Sequence, residues 1–389
     1  MHPVAPAARK VPPVLWPLLF GNFVIGTGVM VVPGTLGDIG ASLKVSTATA
    51  GQLITAGAVL MCLSAPFFAS VVGGMDRRRL LALSMLWYAM LHAACVLMPT
   101  FGGLLPVRAL AMAAPAIFTP QAAACAGLLV DPAIRGRAIT FVFLGWSVAS
   151  IAGMPLGAYI GGVLGWRAAF GLVSMLSLVS ALWVWWALPH GIRPAALSWS
   201  SWQSAFRSRA LMLCVAVTVA SSAGQFVLFA YFAPYYQTVL DVSPSALSTL
   251  FLIFGAFGLI GNLLMSRYID RLGAARAVLV GLVAMALSLL LWPLGNSVWL
   301  AALIAIPWAL GCFSSNSAQQ ARLVALAPGL ASGSIALNTS AMYAGQAIGA
   351  GVGGWMIAVG SMQELHWAGL AGMALAIWLS RLAAEAAKP

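Results

Sequence analysis

The chain has 389 residues, 62% of them hydrophobic and 7% charged, with a mean hydropathy of +0.99. A soluble domain needs about 25% charged residues to coat its surface, so a water-solvated globule is excluded and lipid must solvate most of this surface. The net charge of +12 is read as topology rather than as a nucleic-acid surface, because basic residues flanking spans report orientation.

A bilayer span takes roughly 20 apolar residues. Apolar segments fall near 14–37, 49–73, 80–98, 101–129, 138–164 and 167–188, and a second set near 210–239, 244–267, 275–295, 297–326, 331–360 and 364–383. Arg9 and Lys10 precede the first run as in a signal peptide, but the run is long and without a convincing small-residue cleavage site, so it reads as a retained helix. Between the sets lies a polar stretch, His190 to Arg209, with Trp199, Trp202 and Phe206 at helical spacing. It suits either an amphipathic interfacial helix or an irregular linker. The expected organisation is a segment 1–13, a six-helix bundle 14–188, a central loop 189–209, a second bundle 210–383 and a tail 384–389. The fold class is thus all-α, with 12 transmembrane helices in two related halves.

Orientation follows from loop arginines. With the N-terminus in the cytoplasm, Arg77, Arg78, Arg79, Arg135, Arg137, Arg193, Arg207, Arg209, Arg267, Arg271, Arg276 and Arg322 all face that side, and only Lys44 and Arg167 face the other. Both termini are expected inside.

The halves echo each other. Asp76-Arg77 after the second span recurs as Asp270-Arg271 after the eighth, and Val130-Asp131-Pro132 as Leu326-Ala327-Pro328. Glycine-rich runs occupy the fifth span (Gly153, Gly157, Gly161, Gly162) and the eleventh (Gly345, Gly349, Gly351, Gly353, Gly354). Paired halves suit alternating access, in which one bundle rocks against the other.

Four stretches carry a family resemblance: Gly21 to Gly28 in the first span, Asp76-Arg77-Arg78-Arg79 after the second, Arg108 with Asp131 to Ala138 around the fourth, and Gly153-Met154-Pro155-Leu156-Gly157 through Gly161-Gly162 in the fifth. Over nearly its full length the sequence resembles the major facilitator superfamily, and most of all the bacterial drug:proton antiporters with the sugar (arabinose) efflux branch. The resemblance implies a monomeric inner-membrane transporter, a small-molecule substrate, possible proton coupling, and export, which the fifth-span feature accompanies in that family. It departs from the family at Arg79, where glycine is common, and at Val29-Met30-Val31, where related antiporters often carry an acid.

Candidate site residues follow from chemistry in lipid. Asp76, Arg77, Arg78, Asp131, Arg135, Arg137, Asp270 and Arg271 form charge clusters able to latch helix ends in one state, or serve only as topological anchors. Gly153, Pro155, Gly157, Gly161 and Gly162 give a kinked, close helix contact at the seam between halves. Arg108 is the basic residue expected inside a span, where charge costs on the order of 2.5–3.5 kcal/mol. Asp38 is its expected partner. Of seven acidic residues none is clearly buried in a span, so proton coupling rests on Asp38, His92 and Arg108. Polar groups expected to line a cavity are Asn22, Gln52, Gln121, Gln225, Tyr231, Tyr235, Asn316, Gln319, Gln320, Asn338, Tyr343 and Gln346, some of them only as interhelical glue.

Such a cavity suits a neutral or amphipathic molecule; anions could use Arg108. The five cysteines lack CxxC spacing, and no metal or other cofactor is expected. No nucleophile elbow or HExxH motif stands in a credible context, so an enzyme is not expected. A proton-independent facilitator or importer, and a non-transporting sensor, remain the alternatives.

Overall fold

A computed structural model of the chain describes residues 12–72, 74–131, 134–193, 203–204, 206–327 and 331–387. The middle of the expected amphipathic segment, 194–202 with Trp199 and Trp202, lies outside the described residues, as do Arg9, Lys10, Pro132, Ala133 and Pro328. Among the described residues all regular structure is helical. The first half holds α1 (Trp16–Leu43), α2 (Thr47–Val71), α3 (Arg77–Leu97), α4 (Phe101–Ala111), α5 (Ala113–Leu128), α6 (Arg135–Val148), α7 (Met154–Leu164) and α8 (Trp166–Ala187). The second holds α9 (Arg209–Phe229), α10 (Phe232–Leu240), α11 (Pro244–Leu272), α12 (Ala274–Leu291), α13 (Val298–Leu326), α14 (Ala331–Ala358) and α15 (Leu365–Glu385).

Three spans expected to be continuous are broken, and each break precedes a proline. Pro115, Pro155 and Pro234 lack an N–H and crowd the carbonyl four residues back, on Ala111, Ile151 and Ala230. At those places α4 gives way to α5 at Met112, a π-helical turn spans Ala149–Gly153, and α9 gives way to α10. A π turn next to a proline re-seats the displaced backbone bonds.

Eleven helical stretches among the described residues are long and apolar enough to cross a membrane. The remaining span is α14, 28 residues long, diluted in hydropathy by Asn338, Ser340, Tyr343, Gln346 and its glycines. It tolerates them because it packs along α2 of the first half and α9 of the second instead of facing lipid broadly. Outward faces elsewhere carry Leu63, Phe67, Val163, Leu263, Leu303 and Trp378, a composition only lipid accommodates.

The two halves repeat their pairings. In the first half α1 packs on α6, α7 and α8, α3 on α8, and α2 on α4 and α5; in the second α9 packs on α14 and α15, α12 on α15, and α11 on α13. Caps repeat too. Ser46 and Thr100 accept the amide protons of Thr49 and Gly103 at the starts of α2 and α4, as Ser243 and Ser297 do for Ala246 and Leu300 at the starts of α11 and α13. The chain is therefore two pseudo-symmetric six-span bundles.

Close approaches between the bundles run from the end remote from the chain termini to mid-membrane. Tyr231 wedges against Gly51 of α2 and Gly354 of α14, and its hydroxyl donates to the Ala350 carbonyl at 2.7 Å. Gln237 meets Gly37, Pro244 meets Gly162, and Gly255 lies on the Ser150 backbone. The Ser248 hydroxyl donates to the Pro155 carbonyl at 3.1 Å.

Candidate functional site

Arg108 sits in the last turn of α4, just before the Met112 break, and is 2% exposed. Its NH1 donates to His92 Nε2 at 2.8 Å, and its NH2 donates to the Gly28 carbonyl at 2.7 Å. The guanidinium carbon stands 5.6 Å over the Phe170 ring. Four helices thus hold one cation, and the expected Asp38–Arg108 pair does not form. Asp38 is half-buried, with its carboxylate over Gly161 of α7.

The histidine's state follows from its partners. Guanidinium can only donate, so Nε2 of His92 accepts; a backbone carbonyl can only accept, so Nδ1, 2.8 Å from the Tyr88 carbonyl, carries the proton. His92 is therefore neutral here, fixed as one tautomer, and a proton on Nε2 would require Arg108 to leave. Tyr88, one turn away on α3, donates to the Ile25 carbonyl at 3.4 Å.

Magnitudes show how a cation is held without a carboxylate. Its insertion cost is about 2.5–3.5 kcal/mol. Two hydrogen bonds to a charged donor contribute about 1.5–3 kcal/mol each, and the α4 C-terminal dipole adds roughly 0.3–1 kcal/mol. These terms offset the cost but leave the charge unneutralised. Arg108 also lines a small cavity with Val29, Val32, Leu53, Met112 and, from the other half, Gln346.

Two polar triads stand in corresponding places in the halves. In the first, Asn22 Nδ2 donates to the Val142 carbonyl at 3.2 Å, Thr119 donates to Asn22 Oδ1 at 2.8 Å, and Trp146 Nε1 donates to Thr119 at 3.3 Å. In the second, Thr218 donates to Asn338 Oδ1 at 2.6 Å and Asn338 Nδ2 to Asn316 Oδ1 at 3.4 Å. They join the first, fourth and fifth spans and, six spans on, the seventh, eleventh and tenth. Sequence reasoning missed Thr119, Trp146 and Thr218; the half-to-half echo was the signal that could have found them.

The other polar residues scatter. Gln319 donates to the Cys214 carbonyl at 2.6 Å, and Gln225 to the Ser221 carbonyl at 3.4 Å. Gln121 and Tyr343 are buried, Gln320 is half-buried, and Tyr235 packs on Tyr236 and Trp292. Gln52 is exposed on the α2 face that also presents Val59 and Leu63. Arg322, expected in a cytoplasmic loop, is instead buried in α13, donating to the Ser380 hydroxyl at 3.0 Å and carbonyl at 3.1 Å.

Of the fifth-span glycines, Gly153, Gly157 and Gly161 face Thr27, Val31 and Thr35 of α1 within the same half. The seam is reached by Gly162 and by the Pro155 carbonyl. The charged loop is likewise local. Asp76 caps α3 and accepts the Gly191 amide proton at 2.5 Å, Arg77 N–H donates to the Ile192 carbonyl at 3.0 Å, and Arg78 bonds His190 and covers the Trp185 ring. Burial pushes the Asp76 carboxyl up, but the amides of Gly191, Arg79 and Arg78 and the nearby His190 outweigh it and hold it below 3.8. The cluster fastens the second–third loop to the start of the central linker. Asp131 and Arg271 are exposed, and the side chains of Arg135, Arg137 and Asp270 lie outside the described residues. Among the described residues no group of His, Cys, Asp or Glu could hold a metal ion.

The family model described as Major Facilitator Superfamily matches residues 18–335 and 216–389. The chain is 27% identical over 364 residues, 93% of each protein, to the uncharacterised MFS-type transporter YbcL of Bacillus subtilis (strain 168). Among solved structures it resembles an inward-facing, unoccupied bacterial homologue of the human lysosomal transporter Spinster (TM-score 0.75, 16% identity, 96% of each chain). It also resembles a D-xylose-proton symporter (TM-score 0.74, 16% identity, 94% of this chain and 96% of that one).

Proposed function

The chain belongs to the Major Facilitator Superfamily, and on that premise we propose that it exports a small amphipathic organic molecule by alternating access, as a proton antiporter of a bacterial inner membrane. It is a multi-pass membrane transporter with a small-molecule substrate. Within the efflux reading, the observation that carries coupling is the saturated His92 ring between Arg108 and the Tyr88 carbonyl. A proton on Nε2 and the Arg108 bond exclude each other, so proton uptake frees a cation beside the seam cavity, and Arg108 returning expels the proton. Each partner biases one element with two arrangements, which is what coupling requires.

Closure of the halves around Tyr231, Gly51 and Gly354 supports a state shut at the end remote from the termini. The arginine distribution supports cytoplasmic termini. The test is a panel of labelled solutes in proteoliposomes under an imposed pH gradient. Uptake of a panel member against its gradient, lost on adding a protonophore and uncoupled by His92→Gln, is expected; movement indifferent to the gradient refutes antiport. That second outcome is the facilitator reading, favoured by one observation: Asp38 stands apart from Arg108 and His92.

A further inference from the structure

Arg108 is a buried cation that meets no carboxylate among the described residues. Its NH1 and NH2 are bonded to a neutral imidazole and to a carbonyl, while its Nε is buried with no hydrogen-bond partner. The Tyr88 hydroxyl also lies beside it and is neutral in any state with a proton on the phenol. None of these neighbours supplies negative charge. Arginine stays protonated in proteins, so the charge is permanent and unmatched, at a place where an intramembrane ion marks a ligand path.

The cavity it lines is otherwise walled by Val29, Leu53, Ile54, Met61 and Met112, with one further polar side chain, Gln346. Gln346 comes from α14, so the two polar groups belong to opposite halves. The enclosed space has room for about one water molecule, far below the roughly 300–1,000 Å³ of whole-ligand pockets, so it takes at most the charged end of a molecule, with the remainder between the bundles.

We propose that this cavity is an anion subsite in which Arg108, with Gln346 as second donor, receives the carboxylate of the transported molecule. The substrate class is then an organic monocarboxylate with an apolar body. A planar carboxylate matches the guanidinium fork and accepts two parallel hydrogen bonds, which Arg108 offers from its unpartnered Nε and the neighbouring NH2, while its NH1 stays on His92 and so keeps the proton off Nε2. Because Gln346 completes the site from the other half, the ligand's carboxylate ties the bundles together only while the seam is closed, which links occupancy to the rocking step. The inference rests on the transporter reading for its setting, but it concerns binding.

Benzoate and benzamide, equal in shape and different in charge, are the probes, compared by thermal unfolding of the purified full chain at fixed ionic strength. Benzoate is expected to raise the Tm in proportion to its concentration over its Kd and benzamide to leave it unchanged. Arg108→Gln is expected to erase the difference, and Gln346→Ala to move the half-effect concentration several-fold upward. Should Arg108→Gln fail to fold, Met112→Glu places a carboxylate in the same cavity and is expected to erase the benzoate response by occupying the site. Equal shifts by both compounds on the native chain, or a benzoate response surviving in Arg108→Gln or Met112→Glu, overturns the proposal. A charge-dependent shift in a protein that moves no solute in liposomes would instead break the transporter reading and leave the subsite standing.

Discussion

The two bundles share a fold and divide the chemistry. The first carries a buried charge network, Arg108 with His92 and Tyr88, at the seam. The second carries an aromatic cluster: Phe232 meets Phe229, Tyr236, Phe251, Phe254, Trp292 and Trp308 at centroid separations of 5.1–6.4 Å. Duplication therefore preserved helix pairing and capping but not the groups between the helices. A charge network has alternative bonding states; a packed aromatic cluster has one. The first bundle reads as the part that responds and the second as the part it moves against.

The sharpest way to break that contrast is to exchange the effects of substitution. Arg108→Ala is expected to reduce transport to background while the protein still reaches the membrane, measured by solute flux in proteoliposomes against membrane abundance. Phe232→Ala should do the reverse, costing about 3–5 kcal/mol of stability in thermal unfolding while the protein that remains folded still transports. If Phe232→Ala silenced transport at unchanged stability, the division of labour would be wrong.

The glycine rows refine the comparison at smaller scale. A Cβ added at Gly157 would meet Val31 at 3.4 Å, an ordinary contact, whereas one added at Gly349 would collide with the Ala223 carbonyl oxygen and stand 2.9 Å from the Val227 nitrogen. Gly349→Ala should cost about 1–3 kcal/mol and Gly157→Ala within about 0.5 kcal/mol, read by unfolding of each variant.

The smallest effect belongs to Asp76. Its folded carboxyl lies below 3.8, so its contribution is full above the unfolded value and fades as the pH falls through the lower folded value. Asp76→Asn should flatten the acid side of the stability profile, lowering the melting temperature slightly at neutral pH and leaving it unchanged below the folded value, by melting across a pH series.

Much of the architecture was legible before any coordinates. Hydropathy marked the spans and the Asp76 and Asp270 loops marked the repeat, because lipid forces every backbone group into helices and makes composition decisive. The breaks at Met112, the Ala149 turn and Ala230 were less legible, since Pro33 and Pro307 lie within α1 and α13 without ending them and only tertiary packing separates the cases. At the site, burial of Arg108 was readable from its position, but its partner was not. His92 and Gly28 come from spans whose rotation about their axes sequence does not give, and a search for a carboxylate overlooked a carbonyl and a neutral ring. Arg322 misled for the opposite reason: a helix end and a loop look alike in sequence.

The central claim, that the bundles rock about the seam, is open to one direct measurement. Spin labels at Ala41→Cys and Ser245→Cys, remote from the termini, and at Arg79→Cys and Arg276→Cys near them, give two distances in lipid nanodiscs by double electron–electron resonance. Rocking predicts two populations for each pair, moving in opposite directions as the pH is lowered. A single distance at both ends, unchanged with pH, would contradict it.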